Sequence, residues 1–514
     1  MVDMYVLRVC HQRTIACVRE RPHRRRRRRR SAREQRSSLV FSRPLESRIS
    51  SVRVENGYDD SAAKTSTKFD FIVIGNGPIG AAVAYEISRR FDGCNESVLV
   101  LDSSESLSSG SNDLGRIVRP LDAEGREDFT ELNQKSIERF PGIEREANVV
   151  FFEKRGSLSV GSEAFVRKPR ELLEAKGIEH EVFKGNRAIA SRFSYLSENE
   201  VPSEYVAVSD AVGGYVNPHK MRSAFNFLMK AKNPEKNFVR RQTCEEIISL
   251  VDDGNEMVKV ITTCGNVYFG TKVVVAAGYY TQPLLVRSGF DLESLEDVQI
   301  SKRTVVFAKV KEEDLELFRE MPTIKYELPK NVRASSYSNR KNSNNSDQSK
   351  NEAKSVYILP PIFYPGPVPK EGYYIKIGGG PNDFMTLSKA VLQKQTAEKT
   401  PSPIEMRKEL DAIWPEHRKS TYHDQQDDIE TWMQGDGDLE MVPQLQKALA
   451  HVFPDVCFES IETKACATTC TSNGSIRIEK FANDSIVCVT GCNGKAAGPA
   501  LAISSLVADA LCIK

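Results

Sequence analysis

Apolar residues in this chain fall into short runs closed by Gly, Asp or Asn, and the first clear one is "FDFIVIGNGPIGAAVAYEISRR". Phe69–Ile74 is the kind of apolar run that a buried parallel strand needs. Glycines follow at once, a helix-compatible stretch runs to about Arg90, and "SVLVLD" reads as a second strand. The pattern predicts a β-turn-α-β unit. A second set of strands spans 238–277, where the turn signals "DDGN" and "CGN" suggest a meander ending in a buried strand, Val273–Ala277. Residues 150–210 mix strands and helices. The stretch 300–460 opens with the strand "KRTVVFAKV", includes "YYIKIGGG" as a strand ending in glycines, and looks partly helical over 404–452. The chain closes with a strand, "SIVCVT", a glycine-rich turn, "GCNGKAAG", and a helix, "PALAISSLVADAL". No internal repeat is evident.

With 514 residues the chain is too long for one simple core, so two or more domains are expected. No apolar run approaches the ~18 residues of a membrane span. The 11 cysteines are scattered and odd in number, which argues for a reducing, intracellular setting over a disulfide framework. Cys466 and Cys470, in "TKACATTC", lack a second close pair with nearby histidines, so zinc is not expected. Spacing alone leaves open a disulfide, half a metal site or one reactive thiol. Residues 1–67 hold 17 Lys and Arg against 7 Asp and Glu, centred on Arg24–Arg30, and are expected to be a disordered basic extension. That segment leaves mitochondrial or plastid targeting, nucleic-acid contact and a plain solvated tail open, with nucleic acid the less expected. The ending "LCIK" is not a peroxisomal SKL-type signal.

Gly75, Gly77 and Gly80 form G-x-G-x-x-G between a strand and a helix. Such glycines permit a tight turn and let backbone approach a pyrophosphate at the helix N-terminus. Asp102 ends the second strand, where a carboxylate can bond a ribose hydroxyl. Dinucleotide binding by a Rossmann-type domain is therefore expected. The next strand with a terminal glycine comes almost 200 residues later, after a meander, and a third such unit closes the chain. That discontinuity suits FAD better than NAD. Arg116 and Arg119, in "GSNDLGRIVRPLDAEGRE", would share a face on a helical turn and point apart on a strand. Arginine is the fork-shaped cation suited to a carboxylate.

With "GSNDLGRIVR", "IKIG", "ACATT" and the glycine-rich end in this order, the chain resembles amine-oxidising flavoenzymes related to D-amino acid oxidase. The branch it resembles holds monomeric sarcosine oxidase, pipecolate oxidase and the fructosyl amino acid oxidases. The resemblance covers roughly 68–510 and leaves out a polar insert at 334–355. It implies an α/β (α+β) fold: a Rossmann-type FAD-binding domain (68–155, 210–290 and 460–514) and a discontinuous mixed-sheet substrate domain (156–209 and 291–459). It implies that Gly75, Gly77, Gly80 and Asp102 hold the ADP half of FAD. Arg116 lies beside the flavin, Arg119 grips the substrate carboxylate, and Lys376 activates oxygen. By the same resemblance Cys466 forms a thioether to the flavin, Cys470 is a small core residue, and the loop from Gly491 through Gly494 to Gly498 faces the flavin pyrimidine.

Four departures stand out, one being the family's T-x-D element after the cysteine, weakened here to "TCTSNGS". "NDLG" replaces a His-His-Gly-Asp run, Gly498 occupies the usual lysine position with Lys495 three residues earlier, and Gly379 and Gly380 replace pocket histidines. The implied activity is oxidation of a secondary amine or N-substituted amino acid by a soluble monomer, with O2 reoxidising the flavin and releasing H2O2. A flavin dehydrogenase passing electrons to a quinone or carrier, and a non-catalytic, nucleic-acid-associated flavoprotein, are the rivals. Seen alone, Lys376 would be a solvated strand lysine, and Arg116 and Arg119 surface arginines.

Overall fold

The computed structural model describes residues 67–92, 95–103, 110–252, 255–333, 354–366, 369–380, 383–385, 429 and 431–513. The Arg24–Arg30 block, nearly all of the 334–355 insert and the segment 404–428 lie outside the described residues. No described helix is long and apolar enough to cross a membrane.

The opening unit forms as its pattern predicts, with strand Lys68–Ile74, helix Pro78–Arg90 and strand Val98–Asp102. The first strand pairs in parallel with Val98–Asp102 on one side and with Val267–Val275 on the other. Asn237–Arg241 extends the parallel set beyond Val98–Asp102, and Ile486–Thr490 joins beside Val273–Val275. The meander Cys244–Asp252, Asn255–Thr262 and Val267–Val275 is antiparallel and completes an eight-stranded sheet together with Arg477–Phe481. Alternation along the first strand sends Phe71 and Val73 toward the helical side, where Pro78–Arg90 packs with Pro218–Lys232 and Ala500–Ala510. Ile72 and Ile74 point to the other side, into a core shared with the meander and with helix Thr281–Arg287.

A second, nine-stranded sheet carries the strands Ser157–Gly161, His180–Lys184 and Val206–Asp210 together with those from Gln299 to Cys470. The strand Ile461–Cys470 runs antiparallel to Gln299–Lys309 in this sheet, although the division by sequence places it with the first. One face of the sheet is apolar: Val306, Ile324, Ile358, Ile375 and Ile377 pack against helix Met441–Val452. The opposite face receives the residues between them, Lys376 and Gly378 among them, and this face borders the main cavity. A three-stranded sheet, Arg116–Val118, Gly214–Val216 and Phe152–Glu153, carries Arg116, with Arg119 just past the end of its first strand.

Candidate active site

Two of the three glycines of the first turn meet a steric demand. Gly75 has φ +99°, and a Cβ there would lie 2.4 Å from the Ala276 carbonyl oxygen. At Gly80 a Cβ would lie 1.9 Å from the Gly75 carbonyl oxygen, so the helix packs on the strand only without it. Around Gly77 a Cβ would meet nothing within 4 Å, because that position opens onto the cavity. No side chain caps the helix that starts there, which leaves its first N–H groups available to an anion. Asn76 lines the same space at 1% exposure, and neither its amide oxygen nor its amide nitrogen has a partner. Buried amides are rarely left so, and a polar ligand in the cavity would satisfy both atoms. Asp102 Oδ1 accepts the Asn76 backbone N–H at 3.2 Å, and Arg222 lies 3.8 Å from its other oxygen. Burial pushes the Asp102 pKa up against these contacts. These residues fit a dinucleotide. Gly80→Ala should separate helix from strand, and the purified protein should carry little flavin by absorbance ratio while wild type carries it near stoichiometrically.

From this turn a cavity of ≈ 1550 Å³ reaches across the polar face of the second sheet. Strand register sets its floor. Lys325 stands opposite Tyr357, Tyr357 opposite Gly378, and Arg303 opposite Cys466. At Gly378 a Cβ would lie 2.3 Å from the Tyr357 hydroxyl, so glycine there lets the tyrosine lie across the sheet.

Lys376 lies two residues before Gly378 and is 1% exposed, which corrects the expectation of a solvated strand lysine. Its ammonium donates to the Asp113 carboxylate and to the Gly115 carbonyl at 2.6 Å. Asp113 also accepts from Arg116 at 2.6 Å and from the Tyr364 hydroxyl at 2.6 Å. Burial would raise the Asp113 pKa, but Lys376 and Arg116 hold it well below the usual carboxylate range. Burial, with Arg116 nearby, outweighs the pull of Asp113 and brings Lys376 down to about 8. Arg116 donates a further bond to the Gly110 carbonyl at 2.5 Å and stays charged.

Arg116 begins a short strand, and Arg119 lies just past its end at Val118, so both border the cavity despite their three-residue spacing. Arg119 is 6% exposed, and neither terminal nitrogen has a hydrogen-bond partner. Burial lowers its pKa although Glu124, Asp210 and Asp122 lie near enough to oppose this. A buried guanidinium without a bonded acceptor, facing a cavity, has the chemistry to receive an anion. Lys495 is not free to play that part. It bonds Asp122 and Glu124, each at 2.5 Å.

The C-terminal turn has Gly491 at φ +70° and Gly494 at φ +73°. It is stitched to the strand Ile461–Cys470, with Gly491 donating to the Thr469 hydroxyl at 3.0 Å and Asn493 to the Thr469 carbonyl at 2.8 Å. At Gly498 a Cβ would lie 2.7 Å from Asn133 Oδ1. Cys466 is half-buried and lines the cavity beside Gly110. Cys470 is buried as expected of a core residue, yet it also borders the cavity from the same face of the strand. Both are free thiols, and no metal cluster occurs among the described residues.

Sequence reasoning passed over Asp113, Tyr364, Tyr357 and Lys325. Only Asp113 left a signal, as an acid three residues before Arg116 in the motif that departs from the sarcosine oxidases.

Comparison with known proteins bears on the fold and the family. A monomeric sarcosine oxidase from Bacillus sp. (strain NS-129) is 28% identical over 233 residues, 44% of this chain and 56% of that protein. A probable sarcosine oxidase from Arabidopsis thaliana is 24% identical over 263 residues, 50% of this chain and 60% of that one. The chain thus spans little more than half the length of these curated relatives. Among solved structures, NikD, an unusual amino acid oxidase essential for nikkomycin biosynthesis, superposes with TM-score 0.57 at 17% identity, over 87% of this chain and 94% of NikD. A thermally stable mutant of fructosyl peptide oxidase gives TM-score 0.58 at 17% identity, over 87% and 90%. Those identities speak to the fold alone. Residues 70–510 match the DAO family, described as FAD dependent oxidoreductase, and on that match, with a nucleotide turn and mixed-sheet cavity that fit it, this chain belongs to the FAD-dependent oxidoreductases of the DAO family.

Proposed function

We propose that the protein oxidises a secondary amine or N-substituted amino acid bearing a carboxylate, and that O2 takes up the electrons and leaves as H2O2. The observation that carries this reading is Arg119, a buried guanidinium with no bonded partner, lining one cavity with Lys376. When bound, FAD supplies the acceptor for the hydride from the amine's α-carbon. Gly75, Gly77, Gly80 and Asp102 would hold its ADP half, and the Gly491–Gly494 turn with Arg116 would border the flavin. The chain's own work is positional and electrostatic. Arg119 binds the substrate carboxylate and so fixes which C–H faces the acceptor. Lys376, held by Asp113 and Gly115, presents a fixed cation where negative charge develops on oxygen. A neutral amine is the reactive form, so no strong general base is required.

We assign Cys466 as a covalent tether. Its sulfur would bond to the flavin 8α-carbon with loss of the thiol proton and one methyl hydrogen, and oxygen would accept the two electrons released. Wild-type protein should keep its yellow colour through acid precipitation, and Cys466→Ser should shed it. Retention of covalent flavin by that variant would rule Cys466 out. The function is tested by peroxide release from the holoprotein against sarcosine, pipecolate, saccharopine, fructosyl amino acids and D-amino acids. Turnover with an artificial acceptor but no peroxide would favour a dehydrogenase instead.

A further inference from the structure

The cavity carries more positive charge than one carboxylate and a pyrophosphate use. Among its described lining residues, nine are Lys or Arg and three are Asp or Glu. Asp113 answers part of the surplus beside Arg116 and Lys376, and Asp128 pairs with Arg126 at 2.6 Å. At the Arg119 end Arg119, Lys325, Lys495 and Arg303 stand against Asp122, Glu124 and Asp210, which leaves one positive charge over.

Lys325 is the centre of that remainder. It sits on strand Thr323–Glu327, with its side chain only 18% exposed. Its carboxylate neighbour is Glu124, at 3.9 Å, and Glu124 is already engaged by Lys495 at 2.5 Å. Burial lowers the Lys325 pKa, and Arg119, Lys495 and Arg303 push the same way against Glu124. An ammonium so placed lacks a full counter-charge. The sheet also sets a distance. Lys325 is two strands from Lys376 in the order of the sheet and two residues off in register, so their backbones stand roughly 12 Å apart across the floor.

We propose that the substrate carries two carboxylates, one bonded by Arg119 and a second, on the amine's substituent, bonded by Lys325 with Arg303 alongside. The substrate class is then an N-substituted amino acid with an acidic substituent. This rests on the reading of Arg119 given above, and it names Lys325 as the residue that separates diacids from monoacids.

The test uses full-length holoprotein and two acids that cannot be oxidised as amines, glutarate and butyrate. Binding is followed by the perturbed flavin absorbance and by melting temperature. Glutarate should bind at least about tenfold more tightly than butyrate, the usual value of one added charged hydrogen bond. Lys325→Met should abolish the difference and leave butyrate binding unchanged, and Lys325→Arg should preserve it. Flavin content and melting temperature establish that each variant is folded. Equal affinity in the wild type would overturn the proposal, as would a Lys325→Met protein that weakens both acids alike, since both cations would then serve one carboxylate. If butyrate also fails to bind, the Arg119 reading falls with it, whereas butyrate binding without glutarate preference spares that reading.

Discussion

Replacing Arg119 by Met should lower kcat/KM for a carboxylate-bearing amine by about 10²–10³-fold, the ~3–4 kcal/mol expected when one partner of a buried charge pair is lost. The substrate would then bring its carboxylate into a cavity that has lost the matching fork, and the loss should appear in KM and kcat together, because position as well as affinity depends on that contact. Stability should move the other way. Without substrate the guanidinium is 6% exposed with no bonded acceptor, and its burial already outweighs the nearby acids. An apolar side chain of similar length removes that penalty, so Arg119→Met should melt at an equal or higher temperature than wild type. A functional residue that costs stability is a common pattern. If the variant melted much lower with activity intact, Arg119 would be a structural residue instead. Differential scanning and steady-state kinetics on the same preparations decide this.

Lys376→Met should slow the reaction with oxygen by about 10²–10³-fold, the usual loss when a preorganised charge is removed from a developing anion. Anaerobic reduction by substrate should change little, since that half-reaction depends on Arg119. The fold should tolerate the change because Asp113 keeps Arg116 and Tyr364, each at 2.6 Å. The pH dependence follows from the lysine's pKa of about 8. Below that value the ammonium is charged and the oxygen reaction is fast; as pH rises through it the charge is lost and the rate should fall. The Met variant should show a slow rate that no longer responds to pH there. Stopped-flow reoxidation across pH 6–10 reads both effects, and an unchanged oxygen rate in the variant would remove Lys376 from the oxygen reaction.

What was legible in the sequence was local. Gly75 and Gly80 are demanded by atoms a few residues away or on the adjoining strand, and the apolar runs on either side of them announce the β-turn-α-β unit. In "IKIG" the alternation set Lys376 against two isoleucines, so its direction followed from period alone. Its burial did not, because Asp113 stands 263 residues earlier in the chain. Arg119 could be named as a carboxylate fork from residue type and resemblance, but its isolation from any acceptor depends on where a three-residue strand stops. Lys325 gave no sign at all. In "TIKYE" it is one more polar residue of an alternating strand, and only register with Tyr357 brings it to the cavity floor. Long-range charge balance belongs to the tertiary structure and leaves no periodic trace.

The most direct test of the proposed chemistry is anaerobic bleaching of the flavin absorbance in the full-length protein, comparing an N-methyl amino acid with its methyl ester. The ester keeps the amine and its α-C–H but removes the charge that Arg119 is proposed to bind. The acid should bleach the flavin rapidly and the ester at least about 10²-fold more slowly, with Arg119→Met erasing the difference. Equal rates for acid and ester in the wild type would contradict the assignment.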